Sequence, residues 1–139
     1  MEIKRKVNAP AAFIFDKIID SALFDIRKQT QKSLTRKQLQ GFEYVKIFDS
    51  KRRAKIKIVE VKTNEIYSIE TSTTKNTFKT TYTIQPIDEL NCEITCTETM
   101  ESHGFIQKAN DMVLGTLVGW LKKRQIKVML DAMATAYSK

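Results

Sequence analysis

The chain has little of what breaks or staples a fold. Four glycines and two prolines among 139 residues exclude a linker-rich or disordered chain, which would be built from such residues. Two cysteines, Cys92 and Cys96, exclude a disulfide framework. Four positions apart in one strand, they stand roughly 13 Å from each other, beyond bonding reach. Their spacing is no zinc pattern, and a single histidine, His103, cannot build a multi-histidine metal site. The motifs G-x-S-x-G, H-E-x-x-H and a glycine-rich phosphate loop do not occur. Long apolar runs are missing too. Met112 to Leu121 would rise only about 15 Å as a helix, half of a bilayer core. The opening residues Met1 to Val7 carry charges with no apolar run behind them, so they form no signal peptide. The expectation is one domain over residues 1–139, in the cytoplasm, without a membrane span, a metal or a cofactor.

What is present is ordinary globular composition, 42% hydrophobic and 29% charged, with a net charge of +8. That charge is uneven. Residues 1–60 hold 15 basic and 7 acidic side chains, residues 61–104 hold 3 and 7, and residues 105–139 hold 6 and 2. Basic ends around an acidic middle suit an anionic partner, or each other across the fold or across a dimer.

Periodicity divides the chain into strands and helices. Ile3, Arg5 and Val7 alternate with Glu2, Lys4 and Lys6, a half-buried strand. Asn8-Ala9-Pro10 is a helix start, with Asn8 as the cap. Phe13, Ile14, Ile18, Ile19, Ala22, Leu23 and Ile26 follow at helical spacing. Asp20-Ser21 offers a second cap, which predicts two short helices, about 10–19 and 21–29. Gln29 to Gln40 reads as a polar loop that buries only Leu34 and Leu39, with Thr35 and Gln38 capping one short turn.

Residues 42–100 then read as five strands: 42–48, 54–62, 66–73, 77–85 and 90–99. They are rich in β-branched residues and joined by turns short enough to make neighbours antiparallel. Ile56 and Ile58 share a face before Val59 and Val61 take over, a phase slip that predicts a bulge. Leu90, Cys92, Ile94 and Cys96 are expected inward. Phe105 to Tyr137 lacks proline and predicts one long helix. Its apolar stripe changes side near Lys122-Lys123-Arg124: Phe105, Ile106, Ala109, Val113, Leu117 and Trp120 lie on one side, and Ile126, Met129, Leu130, Met133 and Tyr137 on another. The first half would lie on the sheet and the second on the short helices or a second subunit. The fold class is therefore α+β, a curved antiparallel sheet of about six strands around a long C-terminal helix.

That element order, with the opening Ile3-Lys4-Arg5-Lys6-Val7-Asn8-Ala9-Pro10-Ala11-Ala12-Phe13, resembles the START-like (SRPBCC) helix-grip superfamily. Gly41-Phe42-Glu43-Tyr44-Val45-Lys46, Tyr82-Thr83-Ile84 and Leu121-Lys122-Lys123-Arg124 look similar to an uncharacterised family of short bacterial START-like proteins. The resemblance covers nearly the whole chain. It implies a cavity between sheet and long helix, used across the superfamily for lipids, sterols, polyketides and other apolar ligands. Six strands where larger members have seven imply a shorter sheet and a smaller cavity.

A cavity so placed would be lined by Tyr44, Phe78, Thr80, Tyr82, Cys96 and Glu98 from the sheet. Met112, Gly115, Thr116, Gly119 and Trp120 would line it from the helix. Apolar walls with a few polar tips suit ligand binding, and the same residues suit a plain core. Gly115 and Gly119, one turn apart, cost a helix roughly 1 kcal/mol each. Room beside bare backbone or close packing at a dimer seam would offset that. Glu98 ends an otherwise apolar face, where burial would raise its pKa. Glu101 and His103 follow closely, a possible Glu–His pair at the cavity mouth, and Glu98 and His103 are the candidate acid–base residues; a solvated strand end is the plainer reading. Two basic clusters, Lys51-Arg52-Arg53 with Lys55 and Lys57, and Lys122-Lys123-Arg124 with Lys127, lack the exposed aromatics or recognition helix that nucleic-acid reading needs. Three functions stay open: a non-catalytic protein binding a small apolar or amphipathic molecule, a homodimeric interaction module with a filled core, and a cyclase- or hydratase-type enzyme using Glu98 or His103.

Overall fold

A computed structural model describes residues 2–102 and 123–137. The described residues form six strands, β1 (Glu2–Val7), β2 (Glu43–Ile47), β3 (Arg53–Lys62), β4 (Ile66–Ser72), β5 (Asn76–Asp88) and β6 (Asn91–Ser102). They make one antiparallel sheet in the order β1-β6-β5-β4-β3-β2. Helix α1 (Ala11–Thr30) follows β1, a short 3-10 turn spans Arg36–Gln38, and residues 123–137 form helix α2. This is the α+β architecture that the hydropathy pattern predicts, and the helix-grip arrangement that the resemblance implies.

Register explains why the sheet has one apolar face. Opposed residues in an antiparallel ladder share a face. Ile3 pairs with Cys96, Cys96 with Tyr82 and Tyr82 with Tyr67. Thr80 pairs with Ile69 and Ile69 with Ile58, while Phe78 pairs with Thr71, Thr71 with Ile56 and Ile56 with Tyr44. All of these lie on one face, and Lys4, Lys55, Lys57, Lys79 and Glu93 lie on the other. The register shifts between Ile58 and Glu60, so the predicted bulge is present. It keeps Val61 on the apolar face, opposite Tyr67. A second shift lies between Pro86 and Asp88, in a stretch of β5 beyond its last pair with β4 at Thr83. Proline is tolerated there because one flank of the strand carries no ladder among the described residues. Gly41, at φ +87°, folds the chain back so that its N–H bonds Ile58 O at 2.7 Å.

Both helices cover the apolar face. Ile14, Phe15, Ile18, Ile19, Ala22 and Ile26 of α1 and Leu130 of α2 are buried against Val7, Ile58, Tyr67, Ile84, Cys92 and Ile94, with Ile126, Met129 and Met133 packed alongside. Arg5 lies on the apolar face by register but at its rim, with its side chain 40% exposed. Its guanidinium grips Asp131 of α2 in a two-point pair, Nε–Oδ1 3.0 Å and Nη2–Oδ2 2.6 Å, the geometry that strengthens such pairs most. Tyr137 closes the far end against Phe13 of α1, edge to face at 4.9 Å. The second half of the C-terminal stripe thus meets α1 and β1. Its first half, Phe105 to Trp120, lies outside the described residues.

Several expectations need correction. The two short helices are one continuous helix of 20 residues. Ser21 does not cap a second helix, because its hydroxyl donates to Lys17 O at 2.9 Å one turn back, and the apolar stripe runs through without a phase break. Asn8 is not the cap either. Pro10 occupies that position in an extended conformation with no side-chain capping bond. The helix ends at Gln31 in the left-handed region, its N–H on Arg27 O. Leu90 is 58% exposed rather than inward. β5 runs on to Asp88, and Leu90 sits in the turn, its N–H on Asp88 Oδ1 at 2.8 Å. The Thr35–Gln38 cap forms as expected, with Thr35 N–H on Gln38 Oε1 at 2.9 Å, and Leu39 beside it is fully buried.

Since α2 is held through Leu130, fully buried, Leu130→Ala is expected to lower unfolding free energy by about 2–5 kcal/mol in a urea titration. Val128→Ala, two positions away and 62% exposed, should stay within about 0.5 kcal/mol of wild type.

Candidate functional site

Among the described residues, α1 and α2 leave open space over β2–β5. Between them and the sheet lies a cavity of about 850 Å³, within the range of small-molecule sites. Tyr44, Ile56, Tyr67, Ile69, Thr71 and Tyr82 form its floor from four adjacent strands. Ile18, Ala22 and Phe24 of α1 form one wall, and Met129 and Met133 of α2 the other. These side chains lie here because the inward parity of β2–β5 and the inward stripe of both helices converge on one volume. The methionines suit such a wall, since unbranched thioethers adapt to variable shapes.

The polar groups are few and mostly paired. The Tyr44 hydroxyl donates to Asp25 Oδ2 at 2.5 Å, and Lys46 Nζ lies 3.2 Å from Asp25 Oδ1 and 5.5 Å from the centre of the Phe48 ring. Burial and then the Asp25 bond push the Tyr44 phenol far above its ordinary range. Burial also raises Tyr67, with the Asp25 charge adding to it. Tyr82 is raised by burial first and then by Cys96. All three phenols therefore stay neutral hydrogen-bond donors at any physiological pH. Four charged side chains line the cavity: Lys17, Asp20, Asp25 and Lys46.

Of the residues that the sequence nominates, Tyr44 and Tyr82 line this cavity. Phe78, Thr80, Cys96 and Glu98 share the same sheet face by register but are not in its lining. Thr80 and Cys96 are buried, and the Thr80 hydroxyl donates to Glu98 Oε2 at 3.1 Å. His103, Met112, Gly115, Thr116, Gly119 and Trp120 lie outside the described residues. Sequence reasoning missed Asp25, Lys46, Tyr67 and the two methionines as cavity groups. Tyr67, Ile69 and Thr71 alternate within β4, so their parity is the signal that could have found them. Among the described residues no cluster of three or more histidine, cysteine or acidic side chains could hold a metal ion, and no helix is long and apolar enough to cross a membrane. Both cysteines are free and buried.

The family model described as a domain of unknown function, DUF3284, matches residues 1–119. No curated protein matches the chain. Solved structures share its fold at low identity. A conserved protein from Geobacillus kaustophilus has TM-score 0.61 and 12% identity over 97% of this chain and 95% of its own. Norcoclaurine synthase from Thalictrum flavum, solved with a transition-state analogue, has TM-score 0.60 and 9% identity over 100% and 95%. DynU16, from the dynemicin biosynthetic locus, has TM-score 0.57 and 13% identity over 87% of this chain, which spans only 42% of that protein.

The raised phenols carry a stability consequence. Above about pH 10 an unfolded chain releases its tyrosine protons while the folded chain retains them. Stability should therefore hold below about pH 10 and fall above it, by up to about 1.4 kcal/mol per pH unit for each of Tyr44, Tyr67 and Tyr82. Melting temperature followed by circular dichroism against pH checks this, and Tyr67→Phe should flatten the alkaline limb.

Proposed function

This chain belongs to the DUF3284 family, and we propose that it is a START-like helix-grip domain that binds a small apolar or amphipathic molecule without transforming it. The observation that carries this reading is the cavity of about 850 Å³ floored by Tyr44, Tyr67, Tyr82, Ile56 and Ile69. Among the described residues this volume is open over an apolar floor, and a ligand seated there would gain packing contacts with it. The ligand's body would stack on the tyrosines and methionines, and its polar atoms would meet the phenols and the Asp25–Lys46 pair. Relatives in fold that hold small molecules, such as the norcoclaurine synthase complex, support the location of the site and not its chemistry.

The cavity weighs against a homodimeric module with a filled core. An enzyme built on Glu98 draws little support, since the Glu98 carboxylate accepts from Thr80 outside the cavity lining. Two buried free thiols fit a reducing compartment such as the cytoplasm.

Native mass spectrometry with an uncharged probe, 1-naphthol or dodecanol, tests the reading. One equivalent is expected to bind saturably. Thr71→Trp, which fills the floor from β4, should abolish that uptake while keeping the circular dichroism spectrum of the folded chain. Failure of every uncharged probe to bind the wild type, or equal uptake by the folded Thr71→Trp variant, contradicts it.

A further inference from the structure

The charges of the lining sum to zero, but their pairing is uneven: Lys17 is the one lining charge with no carboxylate in ion-pair range among the described residues, and that narrows the ligand class. We propose that the ligand is an amphipathic anion, an apolar body with one carboxylate-type head, and that Lys17 holds the head. The inference rests on the binding reading above and deepens it.

Of the four charged groups in the lining, three are already matched. Asp25 accepts from the Tyr44 hydroxyl at 2.5 Å and faces Lys46 at 3.2 Å, a cluster that is neutral overall. Asp20 lies 3.5 Å from Arg36, and the same guanidinium holds Asp16 at 2.7 Å. Both carboxylates nearest to Lys17 in the chain are thus engaged from the 3-10 turn. Lys17 pairs with no carboxylate among the described residues. Its contact is the face of Phe13, at 5.3 Å from the ring centre, which attracts a cation only weakly at a partly exposed site.

Position separates the two ends. Lys17 and Asp25 are eight residues apart on α1, about 12 Å along its axis. A head at Lys17 therefore does not meet the Asp25 carboxylate. The same cleft is lined by Ile18, Ala22, Ile69, Tyr82, Met129 and Met133, apolar surface that takes the body of the ligand. A neutral head would leave the lysine unmatched, and a cationic head would be repelled by it.

Isothermal titration at low salt and neutral pH compares three probes of one chain length: dodecanoate, dodecanol and dodecylammonium. Dodecanoate is expected to bind about tenfold more tightly than dodecanol, the gain of one hydrogen bond to a charged group, and dodecylammonium more weakly than either. Lys17→Gln should bring dodecanoate to within about twofold of dodecanol measured on the same variant, as expected when the charged contact is lost. Lys79→Gln, on the opposite face of the sheet, should keep the preference. Equal affinity for dodecanoate and dodecanol in the wild type, or a preference that survives Lys17→Gln, overturns the anion assignment while leaving the binding reading intact. Failure of all three probes overturns both.

Discussion

A sheet with one apolar face has to be covered, and in this protein the cover is two helices laid over six strands. The parity set by β1–β6 puts Ile3, Val7, Ile58, Ile84, Ile94, Cys92 and Cys96 on one side. α1 and α2 cover that face with Ile14, Phe15, Ile19 and Leu130, all at 2% exposure or less. Burying such side chains is the main favourable term in the fold. The Arg5–Asp131 grip fixes α2 against β1. Everything else about the molecule depends on how far the cover reaches.

Over β2–β5 the described residues leave the cleft between helices and floor. The bulge between Ile58 and Glu60 bends β3, since an extra residue on one strand increases local twist. The floor there carries Tyr44, Tyr67 and Tyr82, where β1 and β6 carry Ile3, Val7, Cys92, Ile94 and Cys96. Large rings with polar tips can border a void and satisfy their hydroxyls at its edge. Tyr44 does so on Asp25. The same chemistry that stabilises the wall gives a ligand its hydrogen-bonding partners.

The strands were the most legible part of the sequence, because half-buried strands alternate and the alternation survives in every one of them. Even the bulge could be read from the slip between Ile58 and Val61. The continuity of α1 was not legible: Asp20-Ser21 looks like a cap in one dimension, and only the bond from Ser21 to the Lys17 carbonyl shows the serine inside a helix. Leu90 misled for a related reason, since its spacing from Cys92 fits a strand while Asp88 turns the chain before it. Of the cavity, Tyr44 and Tyr82 could be named from parity within their own strands. Asp25, Lys46 and Lys17 could not, because their roles depend on which distant charges neutralise them. Lys17 lies next to Asp16 and three residues from Asp20, and looks paired until Arg36, from another element, takes both.

The central claim is that the space among α1, α2 and β2–β5 admits an apolar guest, and the methionines report on it directly. With methyl-labelled methionine, Met129 and Met133 sit in the cavity wall, while Met100, at 40% exposure near the end of β6, does not. Xenon pressurisation followed by methyl NMR should shift the Met129 and Met133 resonances together, in a saturating manner, and leave Met100 in place. Unmoved Met129 and Met133 signals, or a shift of Met100 as large as theirs, would contradict the account.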